Sequence, residues 1–125
     1  MEASTIERDV PTSAPADATV IDSAHLARVT FGDRRLEREV LQLFERQAVL
    51  LMARIRTTTP SAVGGLAHTL RGSASGIGAW AVARAAEAAE HASAKDATAC
   101  ELAVRELGAA VDQARVTIIE MLRAS

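Results

Sequence analysis

Apolar residues recur at helical spacing from about residue 20 to the end of the chain. Ile21, Leu26 and Val29 mark the inner side of a short first helix, which Asp22 or Ser23 caps and Gly32 ends. Asp33 opens a long second helix over 33–57, with Leu36, Val40, Leu43, Phe44, Leu51 and Ile55 inward. Its polar side carries Arg34, Arg38, Glu45, Arg46 and Arg54. Thr57-Thr58-Thr59-Pro60 stops that helix, and Thr59 with Pro60 in the first turn starts a third. There Val63, Leu66, Leu70, Ser73 and Ile77 form the inner stripe, before Gly76-Ile77-Gly78 begins a turn. A fourth helix over 79–94 is alanine-rich, which favours helix and lets neighbours approach closely. Lys95-Asp96-Ala97 reads as a loop, and Thr98 with Glu101 as a capping box for the last helix. That helix runs to Ser125 on Leu102, Leu107, Val111, Ala114, Ile118 and Leu122, with Gly108 a weak point inside it.

No strand pattern interrupts this series. The expected fold is all-α: an antiparallel four-helix bundle with an additional short N-terminal helix, formed by residues 21–125. Residues 1–20 hold Pro11 and Pro15 and show no periodicity, so they read as a flexible N-terminal tail.

The third helix is unusual on its other side. With His68 as reference and about 100° per residue, Gly64, Gly65, Arg71, Gly72, Ser75 and Gly76 share its face. A glycine inside a helix costs about 1 kcal/mol relative to alanine, yet several stand together here. Their common effect is room for another molecule beside one imidazole and one guanidinium. A neutral imidazole is a nucleophile able to take and return a phosphoryl group near neutral pH. Arg71, one turn on, supplies fixed positive charge for phosphoryl oxygens.

A second group follows from hairpin geometry. Rise per residue is equal in paired helices, so a turn centred near Ala79 brings Glu90 level with His68. A carboxylate there can accept the Nδ1–H of the ring, leaving Nε2 as the nucleophile.

The run His68-Thr69-Leu70-Arg71-Gly72-Ser73, closed by Gly78-Ala79, resembles the signature of the histidine-containing phosphotransfer (HPt) domains. Arg71 stands where that signature usually has lysine, keeping the charge but changing reach and geometry. The resemblance implies a helical bundle and a phosphorelay role. His68 would accept phosphate from a receiver-domain aspartyl phosphate and pass it to another receiver. The implied partners are receiver domains of response regulators or hybrid histidine kinases, which would hold any magnesium. In the family the position matching Glu90 is often glutamine, and glutamate in chemotaxis-kinase relatives. The competing expectation is a helical adaptor that binds a signalling protein without exchanging phosphate.

Composition narrows the classes further. Net charge is −2, so no basic surface argues for nucleic acid or an anionic membrane. Aromatic residues are only 2% of the chain, too few for base stacking. No run of apolar residues is long enough to span a membrane, and the tail lacks a secretory apolar region. Cys100 has no partner cysteine and suits a reducing compartment, so a cytoplasmic location is expected. No phosphate-cradling glycine loop occurs, hence a phosphocarrier without kinase activity of its own and without a cofactor. Glu87, Glu90 and His91 with His68 lack the paired Glu-x-x-His pattern of bundle metal sites, so no metal is expected. Ser73 and Ser75 have no nucleophilic triad, and Ser73 is expected coreward with its hydroxyl returned to the backbone. Trp80 reads as a packing residue at the hairpin, and His25 and His91 as boundary or surface residues. A continuous bundle core needs no second copy, so a monomer is expected.

Overall fold

Caps and stop signals set the element boundaries in the computed structural model, which describes residues 20–124. Among the described residues five helices follow one another: α1 (Ser23–Val29), α2 (Arg34–Thr57), α3 (Pro60–Ile77), α4 (Trp80–Ser93) and α5 (Ala97–Ala124). Among the described residues there is no strand, and the chain is an all-α helical bundle. The expected tail at 1–20 lies, apart from Val20, outside the described residues, as does Ser125.

The two aspartate caps form as their positions predict. Asp22 accepts the backbone N–H of His25 at 3.0 Å, and Asp33 accepts those of Arg35 and Leu36 at 2.9 and 3.1 Å. Between them the chain reverses through Phe31 and Gly32, both left-handed at φ 57° and 72°. For Phe31 that conformation costs about 1–2 kcal/mol, and its ring is 89% exposed. Val29, expected inside, is exposed instead; Thr30 is buried and its hydroxyl donates to the Leu26 carbonyl at 2.7 Å.

The start of α5 corrects the expected capping box. Two cap signals stand in tandem, and the earlier one acts: Asp96 accepts the N–H of Ala99 at 2.7 Å, and the helix begins at Ala97. Thr98 and Glu101 therefore lie inside the first turns of α5.

The buried stripes also differ in rotation from the expected ones. α2 buries Leu41, Phe44, Ala48, Met52 and Ile55, while Leu36, Val40 and Leu51 are half-buried and Leu43 is 47% exposed. Apolar residues occupy more than one face of α2, so neighbours choose which face is buried, and periodicity does not. In α3 the buried residues are Val63, Ala67, Leu70, Ala74 and Ile77, with Leu66 and Ser73 at the half-buried edge. In α5 they are Cys100, Ala103, Leu107, Gly108, Val111, Ala114 and Ile118, whereas Leu102 is exposed. Burial pushes the Cys100 thiol above its ordinary pKa, because the charged thiolate is disfavoured away from water.

Helix α3 packs against α2 and α4, α5 against α2 and α4, and α1 lies on α3. Paired contacts fix relative directions. Gly64 meets Ser93 while His68 meets Glu90, so α3 and α4 run in opposite senses. Glu45 binds Arg115 and Arg38 donates to the Leu122 carbonyl, so α2 and α5 do the same. Lower down, the Arg56 guanidinium lies across α5 at Gly108, where a side chain would meet it.

Candidate functional site

The α3–α4 hairpin places the site, and one glycine makes the hairpin. Gly78 is left-handed at φ 79° and closes α3, with the Ala79 N–H donating to the Ala74 carbonyl at 2.9 Å. A Cβ on Gly78 would also stand 2.9 Å from Cβ of Asp22 and 3.1 Å from its carbonyl oxygen. Both conformation and space therefore require glycine. The Asp22 N–H donates to the Gly78 carbonyl at 2.9 Å, tying the start of α1 to the turn.

Beyond the turn, the buried residues of both helices include many alanines, whose small side chains permit close approach. Ala67 and Ala74 of α3 and Ala83, Ala86 and Ala89 of α4 are buried. Ser93 fixes the far end: its hydroxyl donates to the Pro60 carbonyl at 2.6 Å and accepts the Gly64 N–H at 3.2 Å.

Between these ties His68 faces Glu90. Nδ1 of the ring lies 2.9 Å from Oε2 of Glu90, and Oε1 of the same carboxylate pairs with Nε of Arg71 at 2.9 Å. The Nη2 of Arg71 stands 3.0 Å from Nδ1 of His68. The His68 side chain is 64% exposed, Arg71 36% and Glu90 22%. Both partners approach one ring nitrogen, which leaves Nε2 for an incoming group. Exposed pairs of this kind add at most about 1 kcal/mol of stability, so their effect is orientation rather than folding.

The expected open face divides in two. A Cβ at Gly65, Gly72 or Gly76 would meet nothing within 4 Å, so these three leave free space around His68. Gly64 does not belong with them, because a Cβ there would meet the Ser93 hydroxyl at 3.4 Å; it serves the α3–α4 contact. Ser75 is half-buried and its carbonyl accepts the Gly78 N–H at 3.3 Å. The Ser73 hydroxyl donates not to the backbone but to Oε1 of Gln47 in α2, at 3.3 Å.

That contact draws attention to two residues of α2: Leu43, which was expected inward, and Leu50, to which the sequence assigned no side. Leu43 and Leu50 lie one turn to either side of Gln47 on α2, and both are exposed. They give the same stretch of α2 two exposed apolar side chains beside the Gln47 contact to α3. The signal was the surplus of apolar residues in α2, more than one buried stripe accommodates.

The other two histidines stand apart. His91 is exposed. His25 meets Trp80 edge-on with ring centroids 5.0 Å apart, and its Nε2 is buried without a partner. Trp80 does more than pack, since its indole N–H donates to Oδ2 of Asp22 at 2.9 Å. Among the described residues no three His, Cys, Asp or Glu side chains are grouped to hold a metal ion, and no helix is long and apolar enough to cross a membrane.

No curated protein and no solved structure matches the chain. The family model of the Hpt domain, by contrast, matches residues 36–117, from the first turn of α2 to late in α5, with His68, Arg71 and Glu90 inside the match. With most of its helical bundle so matched, the chain belongs to the Hpt domain family, the phosphocarriers of two-component signalling.

Proposed function

We propose that this chain is a phosphorelay intermediate whose phosphoacceptor is Nε2 of His68. One observation carries the reading: both neighbours of the exposed imidazole contact Nδ1, so the other nitrogen is the one presented outward. In the forward step the Nε2 lone pair forms a bond to phosphorus. The bond from phosphorus to the aspartyl oxygen of a receiver domain breaks, and its electron pair returns to that carboxylate. The ring then holds phosphorus on Nε2 and a proton on Nδ1, and its positive charge faces Glu90. The reverse sequence delivers the group to a second receiver.

The receiver supplies the magnesium ion and most of the electrostatic stabilisation, and this chain contributes no cofactor. Its own part is to present the ring, place the charge of Arg71 and admit the partner. Gly65, Gly72 and Gly76 support the last role, since they leave the approach open. Leu43 and Leu50 would meet the apolar edge of a docked receiver.

The test is phosphotransfer from a receiver charged with radiolabelled acetyl phosphate. His68→Gln is expected to keep its helical circular dichroism, because the side chain is exposed, and to accept no label. Label retained by the variant would move the site elsewhere, with His91 the next candidate. Binding without any transfer in the wild type would favour an adaptor.

A further inference from the structure

Nδ1 of His68 has two neighbours that cannot both be satisfied. Oε2 of Glu90 at 2.9 Å can only accept, so that bond requires a proton on Nδ1. Nη2 of Arg71 at 3.0 Å can only donate, so that bond requires the Nδ1 lone pair. In a neutral ring the first arrangement leaves Nε2 unprotonated, and the second puts the proton on Nε2. Only the first is nucleophilic at the nitrogen presented to a partner.

We propose that Arg71 is a positioning residue that sets the tautomer of His68, its Nη2–H competing with Glu90 for Nδ1 and holding part of the population in the unreactive Nε2–H form. The inference rests on the phosphotransfer reading for its purpose, though not for its geometry. The Nε of Arg71 anchors the guanidinium on Oε1 of Glu90, which keeps the fork beside the ring. A phosphoryl oxygen is a stronger acceptor for a guanidinium N–H than a neutral ring nitrogen is. An arriving phosphoryl group that takes Nη2 therefore ends the competition: the Nε2 proton leaves to solvent, solvent returns one to Nδ1, and the Nδ1–H then donates its hydrogen bond to Glu90. The nucleophile is thereby completed at the moment its target is in place. The departure from lysine supplies the device: a guanidinium has separate nitrogens for carboxylate and ring, whereas an ammonium has one.

The experiment is a long-range nitrogen–proton correlation spectrum of the His68 imidazole, recorded on unphosphorylated protein at a pH where the ring is neutral. Arg71→Met is expected to raise the ratio of Nδ1–H to Nε2–H tautomer by about threefold to tenfold, the range of one net hydrogen bond. Glu90→Ala is expected to move the ratio the other way. An unchanged ratio in Arg71→Met, or shifts in the same direction in both variants, would overturn the proposal. A role confined to stability would move neither ratio. Wild-type protein charged with phosphoramidate, a donor needing no docking surface, is read in the same spectra. Phosphorus absent from Nε2 there would count against the phosphotransfer reading, while the tautomer ratios still decide the role of Arg71.

Discussion

Trp80 holds Asp22 from the far side of the α3–α4 turn, its indole N–H donating to Oδ2 at 2.9 Å. Asp22 is at once the cap of α1 and the neighbour that Gly78 must accommodate, so this bond joins three elements at one end of the bundle. The Trp80 donor, and next the His25 backbone N–H, hold the Asp22 carboxyl below its ordinary 3.8. Because the folded value is the lower one, the stabilisation is present above 3.8 and lost as pH falls through the folded value. Trp80→Phe should let the carboxyl rise back toward 3.8, read by carbon NMR titration of Asp22. The stability gap between wild type and variant should narrow in acid. A carboxyl that titrates unchanged would show that the indole contact is absent in solution.

Glu90→Ala should leave His68 able to take phosphate but slow the transfer. Removing an orienting partner of a metal-bound histidine costs about 10–100-fold; on the proposed function the receiver contributes most of the catalysis, so about tenfold or less is expected. Rapid-quench transfer kinetics measure it. Wild-type rates in the variant would mean that the carboxylate does not orient the ring.

Gly72→Gln should move stability and transfer in opposite directions. A Cβ there enters open space, and glutamine is the better helix former, so thermal unfolding should hold or improve by up to about 1 kcal/mol. Transfer from a receiver should collapse, because the long side chain occupies the approach to His68. Phosphoramidate should discriminate less against the variant. Unfolding of Gly72→Gln would instead show that the glycine is needed for packing.

Gly108→Ala tests the other glycine that looked out of place. A Cβ would come 2.5 Å from Nη2 of Arg56, but that group is the far end of an exposed, flexible side chain, and the next neighbour, Cε of Met52, is at 3.7 Å. Arg56 should swing aside and α5 gain up to about 1 kcal/mol from the better helix former. Chemical denaturation decides: a loss of stability would mean that the guanidinium lying over α5 contributes more than the helix gains.

The closeness of His68, Arg71 and Glu90 was legible in the sequence because it depends only on helix geometry. Positions three apart share a face, and equal rise on both arms of a hairpin matches residue to residue once Gly78-Ala79 is taken as the turn. What was not legible depends on which neighbour a residue meets, or on which of two local signals is used. Leu43 and Leu41 lie on different sides of α2, each side has apolar residues, and the packing of α3 and α5 decides that the Leu41 side is buried. Gly64 reads like Gly65 until Ser93 arrives from α4 to occupy the space beside it. Ser73 reads as inward until Gln47 of α2 is found within hydrogen-bonding distance of its hydroxyl. Asp96 and Thr98 are both good caps, and the sequence holds no rule for which is used.

The alanines between α3 and α4 make the tolerance of this hairpin one-sided. Ala67, Ala74, Ala83, Ala86 and Ala89 have almost nothing left to truncate, so the large cavities that follow from shortening leucines cannot arise along this seam. Enlargement is different. An added methylene in a well-packed seam tends to push the helices apart, and the His68–Glu90 hydrogen bond spans the same pair of helices. On the proposed function, enlargement in this seam is therefore expected to slow phosphotransfer in a bundle that is still folded.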